Sequence, residues 1–386
     1  MRRLVAACAA IALLATGCVS EQAEPTIRVG FLTALTGSQQ APGADIRDGF
    51  MLYLETHHFM LGGRKVELFT ADEKEDATTS TPAALELVEK KHVQVLAGTI
   101  STGASGGVAK VATEHKIPFV GTNGRPKLDD PTWVWHTSFL TEDFGASLGQ
   151  YMAENIDGPV YVIGQDFPAS YEAFRGFLRT FTEAGGVLAN PTGQPAFTPM
   201  TTQDYHPFLA DIPATGAKAI YGWYSAVQGV TFLKQYPTSE PGAAKLPLYT
   251  SGATEGSKAI PAAGESSLGV RSAFHYAPNL DNPANRAFLA AWNAKHPDVV
   301  PSGLSVSGYD AGAVLDRALA AVGKNPTSKQ INDAIAGLGK VDSPRGEWEF
   351  GPNTHTPVQK WYLREVRRDG RTLSNAVIQD LVTLGS

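Results

Sequence analysis

Apolar residues recur along the chain in two alternating rhythms. Ile27-Arg28-Val29-Gly30-Phe31-Leu32 alternates as a strand does, and Ile46, Phe50 and Leu54 then recur every four residues across 44–59, one face of a helix. A strand is predicted over 66–70. Thr81-Pro82 predicts a helix start, with Thr81 as cap and Pro82 in the first turn, and Leu85 and Val88 continue its apolar face. Strands follow at 93–98 and 117–120, separated by a helix over 106–115.

The rhythm restarts near residue 159. Strands are predicted at 159–164, 186–188, 217–221 and 246–249, with helices at 171–184, 205–211 and 228–235. Two further helices, 282–296 and 307–322, precede closing strands at 358–364 and 375–380. Strands alternating with helices of this length predict an α/β fold with mostly parallel sheets, here as two similar Rossmann-like lobes. Ligands of such sheets sit beyond the carboxyl ends of the strands. Two sheets facing each other would line a cleft with those ends.

Composition narrows the function. The chain has 386 residues, 43% apolar and 18% charged, with formal net charge −6. That is the balance of a folded protein with room for two lobes. Arg2 and Arg3 supply two of the positive charges, so the chain from residue 18 onward carries −8. A net-acidic chain with no basic cluster argues against a nucleic-acid partner. Two cysteines, Cys8 and Cys18, exclude a disulfide framework and a cysteine-based zinc site.

Arg2-Arg3 leads an apolar run over 4–16, too short to span a membrane at roughly 20 residues and charged like a secretory signal. It ends in Leu14-Ala15-Thr16-Gly17-Cys18, which resembles a bacterial lipobox, with Ala15 where Leu is commoner. Residues 1–17 are then the signal peptide, Cys18 the lipidation site, and 18–26 the lipidated cysteine with its tether. Two acyl chains anchor stably where one does not. The alternative is an ordinary secretory signal that happens to contain a cysteine.

Three first-lobe loops are rich in glycine and hydroxyls: 33–43 with Ser38 and Gln39, 98–107 with Ser101 and Thr102, and 121–126 with Asn123 and Gly124. Backbone N–H groups at helix N-termini in such loops hold small polar or anionic groups. Capping and turn chemistry uses the same residues. The second lobe places Phe167, then Trp223 and Tyr224, then Gly252 after its strands. Aromatic residues there would give flat apolar contact area, unless they pack between helix and sheet.

Val29-Gly30-Phe31 leading into Leu35-Thr36-Gly37, Gly43, Asp72, Gly98 with Ser101-Thr102, Ile117-Pro118-Phe119, Asp166-Phe167, Tyr221-Gly222 and Gly308-Tyr309-Asp310-Ala311 form an ordered series from Ile27 to Leu381. In these residues the chain resembles type I periplasmic binding proteins, specifically the branched-chain amino-acid (Leu/Ile/Val-binding) substrate-binding family of ABC transporters. The resemblance implies lobes of 27–143 plus 274–347 and 144–273 plus 348–386, joined by a three-segment hinge. It implies an extracytoplasmic lipoprotein, in the periplasm or on the outer face of the cytoplasmic membrane, that closes on a small molecule and is recognised by a membrane permease. It implies ligand contacts from Ser38, Gln39, Ser101, Thr102, Asn123, Gly124, Phe167, Trp223, Tyr224 and Gly252, with no cofactor and no metal. The family's acid for a ligand ammonium falls by spacing on Gly252, and no acid follows until Glu255. An unpaired ammonium in a closed cleft costs several kcal/mol. Of an amino acid, an amide and an aromatic acid, the last two fit such a cleft better. A sensor of the same fold feeding a signalling partner is the alternative to a transport role.

No enzyme is expected. Gly103-Ala104-Ser105-Gly106-Gly107 matches G-x-S-x-G, but His206, His275, His296 and His355 stand in no catalytic motif. There is no phosphate loop of the G-x-x-x-x-G-K type, and His57-His58, as neighbours on a helix, point different ways.

Overall fold

A computed structural model describes residues 25–370 and 372–385. The leader and Cys18 lie outside the described residues. The chain begins with β1 (Thr26–Thr33), α1 (Gln40–Thr56), β2 (Met60–Leu61), β3 (Arg64–Asp72), α2 (Ala77–Leu85), β4 (Val95–Gly98), α3 (Thr102–His115), β5 (Phe119–Gly121) and β6 (Val134–His136). These strands form a six-stranded sheet in the order β2-β3-β1-β4-β5-β6, parallel except for the short β2 hairpin.

The chain then crosses to α4 (Asp143–Asn155), β7 (Val160–Gln165), α5 (Pro168–Glu183), β8 (Ala196–Thr198), α6 (His206–Leu209), β9 (Ala219–Trp223), α7 (Ala226–Gln235), α8 (Glu240–Ala243), β10 (Leu248–Ser251), α9 (Ala259–Ala263) and β11 (Arg271–Phe274). It returns to the first lobe for α10 (Pro283–Lys295), α11 (Gly303–Ala320) and α12 (Ser328–Ala336), and ends with β12 (Glu349–Phe350), β13 (Pro357–Asp369) and β14 (Thr372–Leu384). The second sheet runs β12-β13-β11-β10-β9-β7-β8, with β14 on β13. Strands β7 to β11 pair in parallel and β12, β13 and β14 antiparallel, so the observed architecture is the α/β class with two mostly parallel lobes.

Each lobe has its own core. Ile27, Val29 and Phe31 of β1 meet Val314, Leu315 and Leu319 of α11 in the first. Phe174, Phe177, Tyr221 and Trp361 build the second. Helices α1 and α11 approach backbone to backbone. A Cβ on Gly49 would lie 1.9 Å from the Ser305 carbonyl oxygen, and one on Gly308 2.1 Å from that of Ile46. Only glycine permits that spacing.

Four local expectations change. Helix α2 starts at Ala77, because the Asp76 carboxylate accepts the Thr79 N–H at 3.0 Å and caps it. Pro82 sits inside the helix, which continues as a π turn over Glu86–Lys90. The strand predicted at 186–188 reduces to a single bridge between Leu188 and Val160. The Asn190 amide takes the place of a strand partner there, bonding Val162 N–H and C=O at 2.8 Å each. Helix α3 starts at Thr102, four residues earlier than the periodicity places it, which brings Ser101 to the cap.

Candidate functional site

The carboxyl ends of both sheets face a cleft of about 570 Å3 of atom-free space, its open mouth included, within the size range of small-molecule sites. Gln39, Ser101, Thr102, Asn123 and Gly124 line it from the first lobe, and Phe167, Trp223 and Gly252 from the second. The structure thus brings eight of the ten expected ligand residues to one cavity.

The other two lie elsewhere. The Ser38 hydroxyl donates to the Glu75 carboxylate at 2.9 Å and lines no part of the cleft. Tyr224 corrects the expectation of an aromatic contact. It is fully buried behind the sheet, stacked on Phe232 at 4.1 Å and edge-on to Tyr205. Side chains alternate along an extended segment, so with Trp223 facing the cleft, Tyr224 faces the core.

The first-lobe end of the cleft is rich in donors. Ser101 caps α3, and the N–H groups of Thr102 and Gly103, in the first turn, have no intrahelical acceptor. The positive end of the helix dipole adds to them. Asn123 Nδ2 donates to the Ile100 carbonyl at 2.6 Å and ties the loops after β4 and β5 together. Beneath them Glu73 is fully buried and accepts N–H bonds from Ile100 at 3.0 Å and Ser101 at 2.8 Å. Burial raises its pKa to about 8, against the pull of those two N–H groups.

Burial also lowers the pKa of His136 to about 3, so its ring is neutral. Nδ1–H therefore donates to the Asn123 carbonyl at 2.6 Å, and Nε2 accepts from the Ser105 hydroxyl at 3.3 Å. Ser105 is buried and does not line the cleft. The serine of the G-x-S-x-G match thus holds the ligand loop through His136 and offers no exposed nucleophile.

The second-lobe end is aromatic. The Phe167 and Trp223 rings lie 6.1 Å apart and 19° from parallel. Phe139, Phe144 and Phe274 complete the wall, with Phe139 and Phe144 in edge contact at 4.5 Å. Among the described residues, the buried Trp223 indole N–H has no acceptor.

Glu255 also lines the cleft, so the acid that spacing placed beyond reach stands in the wall. Gly252 turns the chain there with φ +86°, and a Cβ on it would lie 2.5 Å from the Tyr224 carbonyl oxygen. The Glu255 carboxylate is ion-paired with Arg364, both nearly buried. Arg364 also donates to the Tyr276 carbonyl at 2.8 Å and the Ser272 hydroxyl at 2.9 Å. Burial raises the Glu255 pKa and Arg364 opposes it.

Away from the chain crossings, two groups of hydrogen bonds join the lobes near the cleft. Gln39 Nε2 donates to Ser225 Oγ at 3.3 Å, whose own N–H donates to Gln165 Oε1 at 3.1 Å. Asp45 of α1 accepts the Ser257 N–H at 2.6 Å and its hydroxyl at 2.5 Å, and the Ser302 hydroxyl at 2.9 Å.

A profile of the periplasmic binding protein family matches residues 26–371. The chain belongs to the periplasmic binding protein family. Leu/Ile/Val-binding protein homolog 6 of Brucella melitensis is 28% identical over 361 residues, 92% of this chain and 91% of that protein. A solute-binding protein of an ABC transporter from R. palustris, solved with benzoate, superposes with TM-score 0.82 at 27% identity, over 93% of this chain and 98% of that one. One from Rhodopseudomonas palustris HaA2, solved with p-hydroxybenzoic acid, gives TM-score 0.84 at 27% identity, over 93% and 97%. The chain is accordingly a solute-binding protein of the ABC-transporter type, of a family that works outside the cytoplasm. Among the described residues, no helix is long and apolar enough to cross a membrane, and no group of three His, Cys, Asp or Glu side chains could hold a metal.

The sequence reading missed Phe139, Phe144, Phe274 and Thr141. The first two flank the crossing after β6, a strand with no alternating pattern to mark it. Phe274 ends β11, another unmarked strand.

Proposed function

We propose that this protein captures a small aromatic carboxylic acid for a membrane permease of an ABC transporter. The carboxylate sits against Thr102, Asn123, Gly124 and the first N–H groups of α3. The ring lies among Phe139, Phe144, Phe167 and Trp223, and the Trp223 indole N–H donates to an oxygen on the ligand. The observation that carries this reading is the Glu255–Arg364 pair. It occupies the acid that reaches the cleft, so an α-ammonium would have to displace a buried guanidinium, while the donor-rich end accepts a carboxylate without rearrangement. The benzoate and p-hydroxybenzoate bound to the structural relatives have the same two-ended chemistry.

Capture proceeds by hinge closure about the three chain crossings, near residues 143, 273 and 348. Ligand shifts that equilibrium because it touches both lobes only when they meet. The leader is removed before Cys18, which carries the lipid anchor. Calorimetric titration tests the ligand class. Benzoate or 4-hydroxybenzoate binds at micromolar concentration or tighter, and leucine does not. Leucine binding as tightly as either benzoate overturns the reading.

A further inference from the structure

A second cavity lies at the seam between the lobes, beside the ligand cleft, and Thr141 lines both. Arg125 and Lys127 of the first lobe face Glu142 at the start of α4 and Glu172 and Arg175 of α5 across it. Arg125 follows the ligand loop directly, and only 4% of it is exposed. Among the described residues its guanidinium makes one hydrogen bond, from Nη1 to the Pro126 carbonyl at 3.2 Å, and Nε has no acceptor. Glu172 and Asp143 act on it from beyond ion-pair distance. Arg175 and Glu142 pair with each other at 3.4 Å. That leaves Arg125 facing Glu172 and Asp143, neither in ion-pair contact with it. Burial lowers the Arg125 pKa only to about 10, so it carries its charge at neutral pH.

A buried guanidinium with free donors and no carboxylate in contact is an anion receptor. We propose that the seam cavity binds a small oxyanion, with Arg125 as its principal partner and Lys127 at the rim. The walls come from both lobes, so the bound anion favours their contact and tightens the neighbouring ligand cleft. By linkage, cleft ligand tightens the anion equally. Free inorganic phosphate and a second molecule of a carboxylate ligand share this chemistry. The site does not depend on what the main cleft holds.

Thermal melts with inorganic phosphate, against chloride at matched ionic strength and without cleft ligand, test the site. Phosphate at ten times its dissociation constant should raise Tm by about 2 °C. Arg125→Met should abolish that shift, and Lys127→Met, at an exposed position, should reduce it. Glu172→Gln, which removes a competing charge, should enlarge it. No shift beyond chloride in the wild type, or an equal shift in both Met variants, overturns the proposal. So does loss of lobe contact in Glu172→Gln without any phosphate effect, which would make Arg125 and Glu172 a clamp for each other. Calorimetry with benzoate separates the two sources. Two equivalents bound, one lost in Arg125→Met, identify a second ligand molecule. One equivalent, tightened about fivefold by phosphate, identifies inorganic anion. One equivalent unaffected by phosphate overturns the coupling.

Discussion

Asp45 and Ser257 join the lobes without touching the cleft, so they separate closure from ligand contact. In the structure Asp45 accepts three hydrogen bonds, two of them from Ser257 across the seam. Asp45 is 4% exposed, and burial raises its pKa. Hydrogen bonds to a charged group contribute about 1.5–3 kcal/mol each, and opening exchanges the two cross-lobe bonds for water, with relief of the desolvation cost. Asp45→Ala also leaves two hydroxyls and an N–H short of an acceptor. The net loss of closure free energy is about 1.5–3 kcal/mol, or roughly ten- to a hundredfold weaker binding where ligand is held only by joined lobes. Asp45→Asn, which keeps one acceptor oxygen, should lose about tenfold or less. Calorimetry with 4-hydroxybenzoate reads the affinity, and small-angle scattering of the saturated protein reads compaction. The double variant with Ser257→Ala should be no worse than Asp45→Ala alone, because the one bond that Ser257→Ala removes, from its hydroxyl, is already lost in Asp45→Ala. Full affinity in Asp45→Ala, or additive losses in the double variant, would refute the latch and the closure argument with it.

Thr102→Ala should weaken aromatic-acid binding about tenfold with no change in Tm, read by calorimetry. Tyr224→Ala should instead destabilise the fold by about 3–5 kcal/mol, seen as a lowered urea midpoint, because its ring is core. Glu73, with its pKa raised to about 8 by burial, contributes stability that is complete below the unfolded value of about 4.5 and lost as pH rises through 8. Glu73→Gln should therefore gain in Tm relative to wild type between pH 5 and 8.5, and a constant difference would contradict this. Cys18→Ser should release the protein from membranes into the soluble fraction, and unchanged membrane retention would sink the anchor.

The regular parts of the fold were legible because their signals are local. Ile27–Leu32 alternates, and α1 repeats apolar residues every four positions, whatever lies beside them. Of the short strands that escaped notice, β6 and β11 are three and four residues long, too short for any period to show. Their loss mattered, since Phe139, Phe144 and Phe274 enter the cleft from their ends. The donor-rich half of the site was legible because glycine and hydroxyl clusters after strands mark helix starts. Its precise geometry was not. Glu73 organises Ile100 and Ser101 from 27 and 28 residues away, and His136 holds Asn123 from 13. No spacing rule joins such partners. Trp223 and Tyr224 show the parity problem: one step along an extended chain exchanges cleft for core, and composition does not distinguish them.

On the proposed reading, ligand selectivity rests on the least local feature of all. Counting from strand ends put Gly252 where an acid was wanted, and the conclusion against an ammonium followed from an absent carboxylate. The structure replaces that premise. A carboxylate is present, because the turn at Gly252 carries Glu255 back into the cleft wall. What removes it from ligand chemistry is Arg364, 109 residues later on β13, held from three sides by Glu255, Tyr276 and Ser272. A buried pair of this kind contributes little net stability, but separating it costs several kcal/mol. An ammonium must meet that cost before gaining its own ion pair, whereas a neutral ring meets none of it. If the proposal holds, discrimination between two classes of nutrient follows from which partner an acidic side chain already has, and not from whether one is present.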